Sequence, residues 1–239
     1  MILAILQARM SSTRLPGKVL RPLAGAPMVL RQIERTNRSR RIDRLVVATS
    51  DDRTDDVLTD VLEAKGVEVF RGPLEDVLGR YAGALQAKGP ADHVVRMTAD
   101  CPFIDWEVID AVIEAHLAAD VDYTANTWRR RSFPKGLDVD IVKAAVLAEA
   151  AAEASDPYER EHVLPFIYGH PERYRLQGFE QAGDEGEVRW TVDLPEDLEF
   201  ASAVYDALYP QDPAFTTDAV RRLIAERPEL ANAGGHRRI

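Results

Sequence analysis

The 239-residue sequence has one cysteine, Cys101, so an intrachain disulfide is excluded. That usage suits a reducing cytoplasm, and with no histidine nearby in sequence Cys101 reads as a small buried filler, not a nucleophile. The five histidines form no metal-binding spacing, and Glu161-His162 lacks the second histidine of a zinc-protease helix. No apolar stretch approaches the roughly 20 residues that span a bilayer. The apolar run at the N-terminus ends at Ala8 with no basic residue before it, so a signal peptide is not expected. A basic excess is also missing. The net charge is −10, which argues against DNA or RNA as the main partner, whereas a small anion in a local basic pocket stays compatible. No internal repeat or low-complexity linker is present.

What is present is alternation. Short apolar runs predict strands at 2–8, 45–49, 67–70 and 93–98, and amphipathic patterns predict helices at 27–37, 54–65, 75–88 and 105–119. Gly66 and Gly89 stop two of these helices, and Asp105 caps another. Strand–helix alternation of this kind implies an α/β fold, a mostly parallel sheet with helices on both faces. After Tyr123 the pattern loosens. Residues 127–135 read as a basic loop, 136–142 as a strand, 143–154 and 158–168 as helices, and 174–179 and 188–192 as strands. Helices are expected at 195–208, opened by Pro195, and at 217–227. The simplest organisation is one domain over residues 1–230 with an inserted lobe at about 127–180 and a frayed tail at 231–239.

The first strand runs into Gln7-Ala8-Arg9-Met10-Ser11-Ser12-Thr13-Arg14-Leu15-Pro16-Gly17-Lys18. Ligands of parallel sheets sit beyond the carboxyl ends of strands, so this loop is a ligand position. Arg9, Arg14, Lys18, Arg21 and Arg31 all precede the first acid, Glu34. In an acidic chain that is a local positive field, and Ser11, Ser12 and Thr13 add hydroxyl donors suited to phosphate. Pro16-Gly17 permits a tight turn that returns Lys18 toward the ligand. Neither a Walker A loop nor GxGxxG is matched, and composition alone leaves a solvated basic loop equally open. Arg35, on the following helix, is expected to face outward.

Asp100 follows the strand 93–98, and Asp193 follows 188–192. Two carboxylates at strand ends beside a basic loop suit Mg²⁺, which takes one or two carboxylates plus phosphate oxygens and water. Helix capping is the competing role, although Asp105 and Glu196-Asp197 can serve it.

The segments QARMSSTRLPGKVL and GAPMV resemble the nucleotide-binding signature of the sugar cytidylyltransferases, most closely their spore-coat polysaccharide (SpsF-like) branch. The resemblance continues through RMTADCPFID, FPKGLDVDIV, YEREHVLPFIY and RWTVDLPEDLEF, nearly the whole chain. It implies a nucleotide-diphospho-sugar transferase (GT-A-like) fold and transfer of CMP from CTP, with pyrophosphate released. It further implies Mg²⁺ on Asp100 and Asp193, phosphate contacts from Arg9, Arg14 and Lys18, and a homodimer. Cytosine is then expected near Gln7, Ala8, Ser50, Arg71 and Arg80, although Arg71 can equally pair with Asp76, and Thr98 joins them as a nucleotide-binding residue. A small hydroxyl-rich acceptor is expected near Lys135, Asp138, Asp140, Glu159, Arg160 and His162, since Asp138 and Asp140 share a strand face and Glu159 and His162 a helix face. The cations of that set, with Arg130, point to a sugar acid. A nucleotide-sugar glycosyltransferase and a phosphonate-type cytidylyltransferase remain alternatives.

Overall fold

The computed structural model describes residues 1–239. Its strands are β1 (Ile2–Gln7), β2 (Pro22–Leu23), β3 (Ala26–Pro27), β4 (Arg44–Ser50), β5 (Val69–Gly72), β6 (His93–Thr98), β7 (Tyr123–Ala125), β8 (Asp140–Lys143) and β9 (Leu176–Gly178). The α-helices are α1 (Met28–Thr36), α2 (Asp56–Glu63), α3 (Val77–Lys88), α4 (Trp106–Ala119), α5 (Ala144–Glu153), α6 (Pro157–His162), α7 (Pro165–Tyr168), α8 (Pro195–Leu208) and α9 (Thr217–Glu226).

Seven strands form one sheet in the order β5-β4-β1-β6-β8-β7-β9, and β2 and β3 form a small separate hairpin. β5, β4, β1 and β6 are mutually parallel, while β8 runs antiparallel to both β6 and β7. The reversal of β8 has a consequence for the site. Its first residue, Asp140, pairs with Arg96 near the carboxyl end of β6 and with Ala125 at the end of β7. The beginning of β8 therefore lies at the same sheet end as the finishes of its neighbours.

Alternating side chains give the sheet two apolar faces. Leu3, Ile5, Val46, Ala48 and Val94 pack under α3 and α5, whereas Ala4, Leu6, Val47 and Val95 pack under α1, α2 and α4. A third cluster gathers Phe103, Phe133, Trp190, Phe200 and Phe215 beneath α8 and α9. Helix α1 lies between the second and third clusters, and this overturns the outward placement of Arg35. Its guanidinium is buried and donates to the carbonyls of Ile104 at 2.8 Å and Phe215 at 2.9 Å.

Four further expectations change. Residues 127–180 are not a separate lobe, because β8 and β9 belong to the main sheet and α5 to its face. Residues 188–192 are extended but form no strand. Their hydrogen bonds go to separate places, with Val188 O accepting from Lys135 N and Val192 N donating to Asp100 O. The tail is not frayed at Arg238, whose buried side chain donates to Asp197 at 2.9 Å while its carbonyl accepts from the Trp190 indole at 2.8 Å. The helix expected over 158–168 is broken at Val163, which has φ of 75° and precedes Leu164-Pro165.

Candidate active site

The loop after β1 is folded back on itself by backbone hydrogen bonds, with Gly17 N and Ser12 N both donating to Met10 O at 2.9 Å. Gly17 takes φ of 69°, which favours glycine, and the turn it makes aims Lys18 inward. The loop's base is held by Asp55, a buried carboxylate that accepts from Met10 N at 2.6 Å and from both the amide and the hydroxyl of Ser50. Asp55 was not among the expected site residues. Its position five residues after a strand-end serine is its one sequence signal.

Lys18 is almost wholly buried. Its ammonium donates to Asp193 at 2.8 Å, to the Val192 carbonyl at 2.9 Å and to Asp100 at 3.2 Å. Burial alone disfavours its charge, but Asp100 and then Asp193 outweigh burial and raise its pKa above the ordinary lysine range. Asp100 is the mirror case. Burial favours its neutral form, yet the Lys18 charge and the Thr98 hydroxyl, 2.7 Å away, bring its pKa below the usual carboxylate range. Thus three groups, 82 and 175 residues apart along the chain, converge on one point.

Both carboxylates are held by neighbouring side chains. The Gln32 side chain clamps the turn at Asp100, donating to Thr98 O at 2.8 Å and accepting from Cys101 N at 3.2 Å. Asp193 accepts from Arg189 at 2.9 Å and makes an ion pair with Arg14 at 2.9 Å. Asp197 accepts from the amides of Asp193 and Leu194 at 3.0 Å each, and Arg189 and Arg238 hold it in turn.

Above this point opens a cavity of about 340 Å³ lined by Gln7, Ala8, Arg9, Ser12, Thr13, Arg14, Lys18, Val77, Arg96, Thr98, Asp100, Glu161, His162 and Asp193, among others. A second cavity of about 230 Å³ abuts it and shares Arg96 and His162.

The cytidylyltransferase family profile matches residues 3–212. The chain belongs to the cytidylyltransferase family. As such it is an enzyme of the CTP-dependent nucleotidyltransferase kind. It is 36% identical over 237 residues to the spore coat polysaccharide biosynthesis protein SpsF of Bacillus subtilis, covering 96% of each chain. A cytidylyltransferase structure from Leptospira borgpetersenii superposes with a TM-score of 0.89 at 28% identity, over 96% of this chain and 95% of that one. The fold also matches a CMP:2-keto-3-deoxy-manno-octonic acid synthetase complexed with CTP, with a TM-score of 0.64 at 20% identity, over 86% of this chain and 98% of that one.

Within the cytidylyltransferase fold, some expected residues lie elsewhere. Ser11 is exposed and lines neither cavity. Ser50 is buried and turned to Asp55, so it offers the base nothing. Arg71 lies outside both cavities, donating to Ser50 O and Asp52 O and pairing with Asp56 at 2.7 Å, not with Asp76. Arg80 is fully buried. One of its nitrogens donates to Pro73 O at 2.7 Å, while Nε and Nη2 have no partner, nor has the buried Gln7 Oε1.

Of the residues expected to bind an acceptor, Asp138, Asp140 and His162 line the second cavity, and Lys135, Glu159 and Arg160 do not. Lys135 reaches toward exposed Glu187 at 3.8 Å. Arg160 pairs with Asp76 at 2.6 Å and donates to Ala154 O at 2.8 Å, which ties α6 to the start of α3. Arg96 was missed. It is a single cation in the otherwise apolar run of β6, on the face that Val94 shares, and a lone charge inside a central strand is the signal that marks it.

Proposed function

We propose that the enzyme transfers CMP from CTP to a hydroxyl of a small sugar-like acceptor, in the making of a surface polysaccharide. The observation that carries this reading is the meeting of Lys18, Asp100 and Asp193 at the base of a cavity rimmed by Arg9 and Arg14. The name of the SpsF relative supports the polysaccharide context.

The donor set suits a divalent cation. Asp100 and Asp193 present hard oxygens, and both face the place that Lys18 Nζ already marks for positive charge. Mg²⁺ held by these two carboxylates would supply charge neutralisation at the α-phosphate and a lower pKa for the attacking hydroxyl. The protein's own groups do the remainder. Arg9, Arg14, Lys18, Ser12 and Thr13 bind the triphosphate and stabilise charge on the departing pyrophosphate. The acceptor oxygen forms a bond to the α-phosphorus, the bond from that phosphorus to the bridging oxygen of the β-phosphate breaks, and the hydroxyl proton leaves to solvent. Gln7 is the base reader of this proposal, because it lines the cavity and its buried Oε1 has no protein partner, and an unmade bond there is costly until a ligand makes it. A homodimer and a cytoplasmic location complete it. No helix is long and apolar enough to cross a membrane.

The test is pyrophosphate release with each of the four ribonucleoside triphosphates, Mg²⁺ and a panel of sugar acceptors. CTP should be preferred over UTP by roughly a hundredfold or more, since a site built on paired hydrogen bonds rejects a donor–acceptor exchange strongly. Comparable rates with ATP would sink the cytidylyl reading.

A further inference from the structure

The second cavity differs from the first in its charge. Arg96, Arg131, Asp138 and Asp140 are its charged lining, with Tyr123, Tyr158 and Tyr168 alongside. Each cation there already has its anion. Arg131 holds Asp138 with two nitrogens, the Nη2 bond measuring 2.9 Å. Arg96 pairs with Asp140 at 3.3 Å, and the Tyr123 hydroxyl donates to that carboxylate's other oxygen at 2.7 Å. Of the remaining cations of the region, Arg130 is bound away from the cavity by Glu180 at 3.1 Å, Lys135 by Glu187 and Arg160 by Asp76, while Arg129 is exposed and lines neither cavity.

From this charge balance we infer that the cavity selects an uncharged, hydroxyl-rich acceptor and rejects a sugar acid. The inference rests on the CMP-transfer reading and names its substrate class. A carboxylate entering the cavity would lie beside Asp138 and Asp140 with no surplus positive charge to offset them. Capturing Arg96 for itself would leave Asp140, which is 6% exposed, as an unpaired buried anion, and breaking a buried pair from one side is strongly unfavourable. Hydroxyls meet the opposite situation. Carboxylates already paired with arginine keep free lone pairs, and Arg96 Nε is buried without any hydrogen-bond partner, a donor still open to a hydroxyl oxygen. Tyr158, whose ring lies 4.4 Å from that of His162, and Tyr168, 5.4 Å from Trp128, give an aromatic wall for the C–H face of a sugar ring. The shared residue Arg96 places such an acceptor next to the triphosphate cavity.

The experiment uses matched acceptors, each a sugar acid and the alcohol made by reducing its carboxyl, with CTP and Mg²⁺ and pyrophosphate release as the readout. The alcohols should be used with kcat/KM at least roughly tenfold above the acids. A second measurement compares binding of the acids to the wild type and to Asp138→Asn, which removes one anion and frees Arg131. That variant should gain about tenfold in affinity for the acids and lose affinity for the alcohols, as removing a negative neighbour and a hydroxyl acceptor implies. Preference for the acids, equal use of both, or no gain of acid binding in Asp138→Asn overturns the inference. Calorimetric titration of CTP into both proteins separates this from the parent reading. Loss of CTP binding in the wild type defeats the parent, whereas intact CTP binding with a preference for acids defeats the acceptor class alone.

Discussion

The two cavities, to which the proposed reading gives the triphosphate and the acceptor, touch at Arg96 and His162, yet they hold charge in different ways. In the first, Lys18 faces two carboxylates at once, Arg14 shares one of them, and Arg9 and Glu161 stand on the same wall with no ion pair to each other. Carboxylates that share one ammonium in this way are what the proposed reading needs for a polyanion and its metal. In the second, arginines and aspartates are matched one to one. The difference teaches that counting charges in a segment says little about its ligand. What matters is which charges have been neutralised within the fold, and that depends on partners the sequence does not place side by side.

The largest effects should come from breaking the first cavity. Asp193→Asn and Asp100→Asn should each leave a folded protein with turnover reduced about a thousandfold, the scale of losing a charge-stabilising group in a water-poor site. Lys18→Ala should cost about a hundredfold and weaken CTP binding as well, because it removes the charge facing the phosphates. Arg35→Ala is no surface control for that variant. It leaves the carbonyls of Ile104 and Phe215 without their buried donor and should lower stability. Pyrophosphate release and a urea melt on the same preparations distinguish the two outcomes. Undiminished turnover in both aspartate variants would remove the contrast between the cavities.

These two regions were not equally legible. The basic loop lies within twelve consecutive residues, 7–18, on the end of one strand, and its cations are conspicuous in an acidic chain. Local order of that kind survives folding, so Gln7, Ala8, Arg9, Ser12, Arg14 and Lys18 do line one cavity. Asp100 and Asp193 each follow an apolar run, and both line that same cavity. The acceptor side is written in long-range pairs. Arg160 looked like a ligand for an acid until Asp76, 84 residues away, took it. Asp140 was readable as a polar strand residue, but Arg96, its partner across the β6–β8 ladder, was hidden inside an apolar pattern. The tail was misread for the same reason. Arg238 is a terminal cation in sequence, and only the fold supplies Asp197 beneath it.

A moderate effect should distinguish the far end of the sheet from both cavities. His93 opens β6, and its ring nitrogen lies 3.1 Å from that of His116, which also contacts the Thr124 hydroxyl at 3.0 Å. Burial, then the charge of the neighbouring histidine, lowers the pKa of His116 to about 4, and burial lowers that of His93 too, with Asp92, Asp120, Asp122 and Lys143 nearby. The folded pKa is below the unfolded one, so the neutral form stabilises the fold. That stability is complete above about pH 6.5 and is lost as pH falls toward 4. The expected loss is on the order of 2–3 kcal/mol, read as a drop in the urea midpoint between pH 7 and 4.5. His116→Asn should flatten that dependence. Asp100 does not contribute in this window, because its lowered pKa places its protonation in stronger acid. A midpoint that stays level from pH 7 to 4.5 in the wild type would mean the pair is charged in the fold.

The smallest effect is expected at Lys135, and it bears most directly on how the acceptor side is read. Lys135 stands in a basic loop beside two aspartates that line the acceptor cavity, so by sequence it belongs with the acceptor. In the fold its backbone does the structural work, donating to Val188 O at 2.8 Å and accepting from Trp190 N at 2.7 Å. Its ammonium is outside the cavity, and its acidic neighbour at 3.8 Å is itself largely exposed. Exposed pairs of this kind contribute roughly 0–1 kcal/mol, and alanine keeps the backbone hydrogen bonds. Lys135→Ala should therefore leave stability within about 0.5 kcal/mol of the wild type and the acceptor KM within about twofold, since truncating a group that makes no ligand contact changes neither ground-state nor transition-state binding. Asp138→Asn, three residues along, should change acceptor use far more. If Lys135→Ala instead raised the acceptor KM tenfold, the acceptor would be gripped by the loop and not by the matched pairs of the cavity, and the contrast between a charged donor site and a neutral acceptor site would fail at its weaker end.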